Sequence, residues 1–129
     1  MHSIDPSAAA VAGVPENDAS SLERLKRFGG GKLLGEMIAL FLSTAVERIA
    51  AARQGVDASD PKAAEAALHS LKSSSAQLGA VQMQRLSERG ERLANSGSLD
   101  GLDHIIRDLE TEFPRVREWL ERARNAEAP

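Results

Sequence analysis

Apolar side chains recur along this chain at spacings of three and four residues, and no stretch alternates every second residue. The first spacing keeps one face of an α-helix apolar, whereas alternation would mark a strand, so every element the pattern predicts is helical. Ser20-Ser21-Leu22-Glu23 fits a capping box, with Ser20 as N-cap and Glu23 reaching back to it. A short helix is expected from there to about residue 28, with Leu22, Leu25 and Phe28 on one face and Gly29-Gly30-Gly31 as its stop. A longer helix is expected over 32–53, because Leu34, Ile38, Phe41, Ala45 and Ile49 share one face. Leu33, Met37 and Leu40 widen that face enough for neighbours on two sides, and Gln54-Gly55 closes the helix. Asp60-Pro61 marks the next start, with Asp as N-cap and Pro at the first helical position. This third helix, 61–78, turns Ala64, Leu68, Leu71, Ser75 and Leu78 inward and stops at Gly79.

A fourth helix, 82–94, points Met83, Leu86, Gly90 and Leu93 inward. Glycine inside a helix costs about 1 kcal/mol relative to alanine, so its presence predicts a close helix approach at Gly90. Asn95-Ser96-Gly97 makes the turn into a final helix, 99–124. That helix buries Leu102, Ile105, Ile106, Leu109, Phe113, Val116 and Leu120. A kink or break is expected near Pro114, which has no N–H and crowds the carbonyl of Glu110. The fold class is therefore all-α: an antiparallel four-helix bundle with a short N-terminal capping helix, over residues 19–125. Residues 1–18 are small and Pro-containing, and are expected to form a flexible tail or interdomain linker.

Composition narrows the function classes. A chain of 129 residues is one domain. Its aromatic side chains are Phe28, Phe41, Phe113 and Trp119 alone, so the core must be aliphatic, as in helical bundles. A net charge of −3 offers no basic footprint, and nucleic acid is not an expected partner. There is no cysteine, which removes disulfides, zinc–thiolate sites and cysteine nucleophiles, and fits a cytoplasmic location. No apolar run reaches the roughly 18–20 residues of a membrane span. The run from Ala8 to Val11 has no basic lead, so it does not read as a signal peptide.

The chemistry concentrates in Leu68-His69-Ser70-Leu71-Lys72-Ser73-Ser74-Ser75-Ala76-Gln77-Leu78-Gly79-Ala80. His69 and Lys72 stand three residues apart, on one helix face. His69 is displaced about 100° from the buried Leu68, at the solvent edge of the apolar stripe. Ser73 and Ala76 share that edge and are small, so another protein could reach the imidazole. Taken alone, a histidine in this position is more often a polar boundary residue than a site, and a lone lysine is usually a solvated charge. His104 lies among Asp103, Arg107 and Asp108 on a polar face, and is read as merely exposed; His2 lies in the tail. The three histidines share no metal-ligand spacing, so no metal site is expected. Gly29-Gly30-Gly31-Lys32 is not a Walker loop: Lys26 stands at the first glycine position and Leu33 at the Ser/Thr position. The run Ser73-Ser74-Ser75 lacks the strand–turn–helix elbow of a serine nucleophile.

This stretch resembles the histidine-containing phosphotransfer (HPt) domain of bacterial and fungal phosphorelays. The family pattern is roughly His-x-Leu-Lys-Gly, small residues, then Leu-Gly-Ala; here it reads His69-Ser70-Leu71-Lys72-Ser73, with Gln77-Leu78-Gly79-Ala80 downstream. Phe28 to Leu34, then Ala39-Leu40-Phe41-Leu42, look like the family's first loop and long second helix. Glu110, Phe113, Val116 and Leu120 look like its closing helix. The one departure is Ser73, where the family most often has glycine. The resemblance implies a phosphocarrier in which His69 is phosphorylated and Lys72 stabilises the phosphoryl charge. Ser73 and Glu91 are supporting candidates, the first as a hydrogen-bond donor and the second to orient the imidazole. Ala76 and Gln77 are candidate docking residues. The implied partners are response-regulator receiver domains, including that of a hybrid histidine kinase, whose terminal module this chain could form. The chain itself needs no cofactor, the divalent metal being expected on the receiver, and is expected to be a monomer without kinase activity. The dimerisation helix of a histidine kinase fits less well, because Ser70 follows the histidine where that motif has an acidic residue. A non-phosphorylated helical adaptor and a small-ligand or metal-binding bundle stay open as alternatives.

Overall fold

The computed structural model describes residues 17–127, and four helices occupy nearly all of that span. They are α1 (Ala19–Asp57), α2 (Pro61–Leu78), α3 (Val81–Asn95) and α4 (Leu99–Asn125). Connections of two or three residues force successive helices antiparallel, and α1 also packs against α4, which closes the bundle. No strand occurs among the described residues. The all-α bundle expected from the hydrophobic pattern is what the chain forms. The expected tail lies outside the described residues as far as residue 16.

The start of α1 departs from expectation. Asp18, not Ser20, is the N-cap: its carboxylate accepts from the Ser20 backbone N–H at 3.0 Å and from the Ser20 hydroxyl at 2.6 Å. A charged acceptor two residues upstream outcompetes a hydroxyl for the orphan helix donors, and holds the Asp18 carboxyl below the usual aspartate range. The three glycines do not separate two helices by a loop. Only Gly30 leaves helical geometry (φ 76°, ψ −175°), so α1 changes direction at one residue and has a first arm, 19–29, and a long arm, 31–57. Phe28 was expected beside Leu22 and Leu25, yet it is 89% exposed while Leu22 is buried. Steps of three residues fall about 60° short of a full turn, so two of them carry Phe28 about 120° away from Leu22.

The long arm buries Leu34, Ile38, Phe41, Ala45, Ile49 and Ala52. Leu33 and Met37 are half-buried, as a widened face requires, but Leu40 is 57% exposed. Gly55 does not end the helix, which continues to Asp57; it is buried, and a Cβ there would come within 2.8 Å of the Ala64 backbone nitrogen. Its role is close approach of α1 to α2. Asp60 caps α2 as expected, accepting from the Ala63 N–H at 3.2 Å with Pro61 behind it. The five inward residues expected of α2 are all buried.

In α3, Met83, Leu86 and Gly90 are buried, while Leu93 is half-buried and Ser87 and Ala94 complete the inner face. The helix α4 runs through Pro114 without a break. Pro114 is exposed, so the bond that the Glu110 carbonyl loses lies on the solvent side of the helix. Arg53 ties α1 to α4 by pairing with both Asp103 and Glu110.

Gly79 and Gly97 both adopt left-handed backbone, at φ 76° and 78°. A Cβ at Gly79 would stand 2.2 Å from the Asp18 carbonyl oxygen, whereas one at Gly97 would meet nothing within 4 Å. Gly97→Ala should therefore cost only the conformational penalty, about 1–2 kcal/mol. Gly79→Ala should cost clearly more, because the N-terminal arm must also move. Urea unfolding of both variants checks this, and equal losses would contradict it.

Candidate functional site

Helix α2 presents its outer face between α1 and α3. Leu68 is fully buried, and the next residue, His69, is turned to the rim with its side chain 63% exposed. Across from it on α3 stands Glu91. One carboxylate oxygen, Oε2, lies 2.6 Å from His69 Nδ1; the other, Oε1, lies 2.7 Å from Lys72 Nζ. A single carboxylate thus holds both residues that the sequence singled out. The positions explain this, since His69 and Lys72 are one turn apart and share a face. Their shared spacing was the available signal that one carboxylate could serve both; the Lys72 pairing itself was not anticipated.

Burial pushes the Glu91 carboxyl up, but the Lys72 and His69 hydrogen bonds and charges outweigh it and hold the group below the ordinary glutamate range. Glu91 is therefore ionised near neutral pH and can only accept hydrogen bonds. Because an ionised carboxylate can only accept, the hydrogen bond between them places a proton on His69 Nδ1, and Nε2 is directed away from the carboxylate. A partly exposed ring, fixed at one nitrogen and open at the other, can act as a nucleophile toward a group brought from solvent.

The other candidates are placed as follows. The Ser73 hydroxyl bonds back to the His69 backbone carbonyl at 3.4 Å. Ala76 is half-buried and Gln77 exposed, further along the same outer face. His104 is exposed on α4, 4.0 Å from Asp108, away from these residues. On the α1 side, Arg48 Nε donates to the Ser70 hydroxyl at 2.9 Å, so a second cation is anchored to the residue following His69. Nothing in the one-dimensional pattern marked Arg48, because the bond spans 22 residues between two helices. Among the described residues no cluster of side chains is arranged to hold a metal ion, and no helix is long and apolar enough to cross a membrane.

Comparisons with known proteins identify the class to which this helical bundle belongs. The model of the Hpt domain family matches residues 36–126. The chain belongs to that family. In three dimensions it is similar to histidine-containing phosphotransfer protein B (HptB) from Pseudomonas aeruginosa PAO1. The TM-score is 0.82 and the identity 25%, over 88% of this chain and 97% of that one. No curated protein sequence matches it. Its coarse role is thereby a phosphotransfer carrier in two-component signalling, a class that works with receiver domains and carries phosphoryl groups rather than acting as a kinase.

The lowered pKa of Glu91 fixes the sign of a pH effect. A carboxyl whose pKa is lower folded than unfolded contributes stability above its unfolded value and loses it as pH falls through the folded one. The stability difference between wild type and Glu91→Gln should therefore be largest near neutral pH. It should shrink below the ordinary glutamate value of 4.5. Urea titrations of both proteins between pH 7 and pH 3 read this directly; a gap that widened on acidification would contradict the assignment.

Proposed function

We propose that His69 is the phosphoryl-accepting residue and that the chain passes the group between aspartates of receiver domains. The observation supporting this most strongly is the His69–Glu91–Lys72 cluster, an exposed imidazole restrained at Nδ1 beside a lysine. In this reading the Nε2 lone pair attacks the phosphorus of the receiver's aspartyl phosphate in line. An N–P bond forms, the acyl O–P bond breaks, and the aspartate leaves as carboxylate. The ring keeps its Nδ1 proton and gains positive charge, which the Glu91 carboxylate stabilises. Lys72 then faces three phosphoryl oxygens within reach of a flexible stem, and its ammonium suits them as a compact charge.

Phosphoryl transfer asks mainly for positioning and charge stabilisation, so so few groups suffice on this side. The receiver supplies the aspartate, the divalent metal and most of the catalytic groups. The chain needs no cofactor of its own, does not draw phosphate from ATP, and acts as a monomer. Ser73 keeps the approach to Nε2 open by its small size, and Ala76 and Gln77 extend the contact surface.

His69→Gln should abolish transfer from a phosphorylated receiver, and the wild-type label should be acid-labile and base-stable. Label retained by the variant, or mapped to His104, would sink the assignment; partner binding without any labelling of the wild type would favour a helical adaptor instead. Lys72→Ala removes a part-exposed ion pair, worth about 0–1 kcal/mol to the fold. It also removes a charge-assisted contact worth about 1.5–3 kcal/mol to the transferring group. Transfer should slow roughly tenfold to a hundredfold while melting shifts by a few degrees at most. An easily unfolded variant, or unchanged transfer, would reassign Lys72.

Glu91 is in this reading a positioning residue. Glu91→Ala should slow transfer and let phosphate appear on Nδ1 as well as Nε2, while Glu91→Gln, which still offers an acceptor, should restore the Nε2 product. Phosphorus NMR of the denatured phosphoprotein separates the two isomers. A single Nε2 isomer in Glu91→Ala would leave Glu91 with a structural role only.

A further inference from the structure

A phosphoryl group on His69 would add about two negative charges at neutral pH, because the second proton of a protein-bound phosphoryl group leaves near about pH 6. The ring decides where those charges come to lie. Nδ1 faces Glu91 at 2.6 Å, so Nε2 is turned away from α3. The flank it leaves is acidic: Glu65, Glu88 and Glu91 line one groove with Lys72 and Arg92. On the other flank of α2 lies a groove shared with α1. Among the described residues that line it, Arg48 alone is charged. Its exposed neighbour Glu47 does not line that groove. Carboxylates repel a phosphoryl group and a cation attracts it, so the field across α2 favours the α1 side.

Arg48 is prepared for an anion. It is half-buried, and its Nε donates to the Ser70 hydroxyl at 2.9 Å. That bond commits one of its five donors and holds the guanidinium beside the residue that follows His69. No carboxylate among the described residues pairs with it. Other cations at helix contacts are compensated: Lys72 pairs with Glu91, and Arg53 with Asp103 and Glu110. A cation drawn partly out of water without a counter-charge costs stability, which an arriving anion offsets.

We propose that Arg48 is a second counter-ion of the phosphoryl group. With Nε on Ser70, its Nη1 and Nη2 pair with phosphoryl oxygens from the α1 side, across the imidazole from Lys72. The proposal rests on the phosphocarrier reading of His69 and adds a residue that acts on the transferred group itself. A guanidinium fork matches phosphoryl oxygens in two-point contact, whereas an ammonium meets them as a point charge. Lys72 must leave Glu91 before it engages; Arg48 has no ion pair to break. Ser70 is then a positioning residue, acting through Arg48. The arrangement favours the phosphoryl dianion over the monoanion, and phosphohistidine here over aspartyl phosphate on the receiver.

Phosphoramidate, a small donor, loads the full chain without any receiver, and phosphorus NMR follows the phosphohistidine signal from about pH 5 to about pH 9. A contacting cation lowers the midpoint of the phosphoryl titration, so removing it raises the midpoint. Arg48→Gln should raise it by about one pH unit, the low end for a contacting charge, because the site is open to water. Arg48→Lys should stay close to wild type, and Ser70→Ala, which keeps the cation but frees it, should fall between. Lys32→Gln removes the same charge roughly 24 Å earlier along α1, beyond the screening length of about 10 Å at 0.1 M salt, and should match wild type. With a receiver domain that transfers to wild type, the equilibrium constant for loading Arg48→Gln should fall roughly tenfold, the equivalent of one pH unit. Thermal melts verify the fold, and Arg48→Met, which keeps an unbranched stem, repeats the measurement if Arg48→Gln unfolds. If wild type and the neutral Arg48 variant share one midpoint, the proposal falls and the carrier reading stands. An equal rise in Lys32→Gln also overturns it, since net charge then accounts for the effect. If neither phosphoramidate nor any receiver labels His69, both fall.

Discussion

The close approach of α2 and α3 is the constraint on which the site depends. A Cβ at Gly90 would stand 2.8 Å from Leu68 Cδ1 and 3.1 Å from Ile105 Cγ2, so any side chain there would make the buried Leu68 give way. Leu68 and Gly90 face one another in the core. The residues that follow them, His69 and Glu91, are each rotated about 100° toward the rim. There they meet at 2.6 Å, and Lys72 joins at 2.7 Å. The separation of two helix axes, fixed by apolar packing, thus sets a polar contact at the surface. The penalty that glycine carries inside a helix, about 1 kcal/mol relative to alanine, is offset by this packing.

Much of this was legible in the sequence, for a physical reason: a helix face is a local property. Ala64, Leu68, Leu71, Ser75 and Leu78 are inward in α2, and Leu102 to Leu120 in α4, as their spacing requires. The stop at Gly79 and the cap at Asp60 depend on a few neighbouring residues and were equally readable. Misplaced features were those decided by competition or accumulated rotation. Asp18 displaced Ser20 as cap because two acceptors were available and the charged one won. Phe28 left the inner face because a run of three-residue steps drifts around the helix. Gly55 marks a helix contact rather than a helix end, a distinction that requires knowing that Ala64 comes opposite. In the site, the chemistry-bearing residues His69 and Lys72 lie within one turn and could be found together, whereas Arg48 reaches Ser70 only through the tertiary fold.

The division of labour across the helices follows from these placements. The proposed chemistry belongs to the α2–α3 rim, where burial and ion pairing fix side chains. The proposed contact surface continues along the outer face of α2, at Ala76 and Gln77. In the proposed reading the partner, rather than this fold, supplies the metal and the aspartate, so the rim has only to position and to balance charge.

In the proposed transfer, Lys72 links the resting site to the loaded one. Before transfer its ammonium is paired with Glu91 at 2.7 Å, so it does not stand beside His69 as an uncompensated charge that would attract any passing anion. In the proposed transfer a phosphoryl group on Nε2 adds negative charge within reach of Lys72 while the ring itself becomes cationic against Glu91. The carboxylate then has a stronger partner in the imidazolium, and the ammonium has one in the phosphoryl oxygens. Each ion of the resting pair gains a new counter-charge in the same step, so releasing the Lys72–Glu91 contact leaves neither buried nor unpaired. A lysine suits this exchange better than an arginine: its single charge sits on a flexible stem and can turn from one acceptor to the other, whereas a guanidinium locked in a two-point contact with Glu91 would have to break both bonds at once.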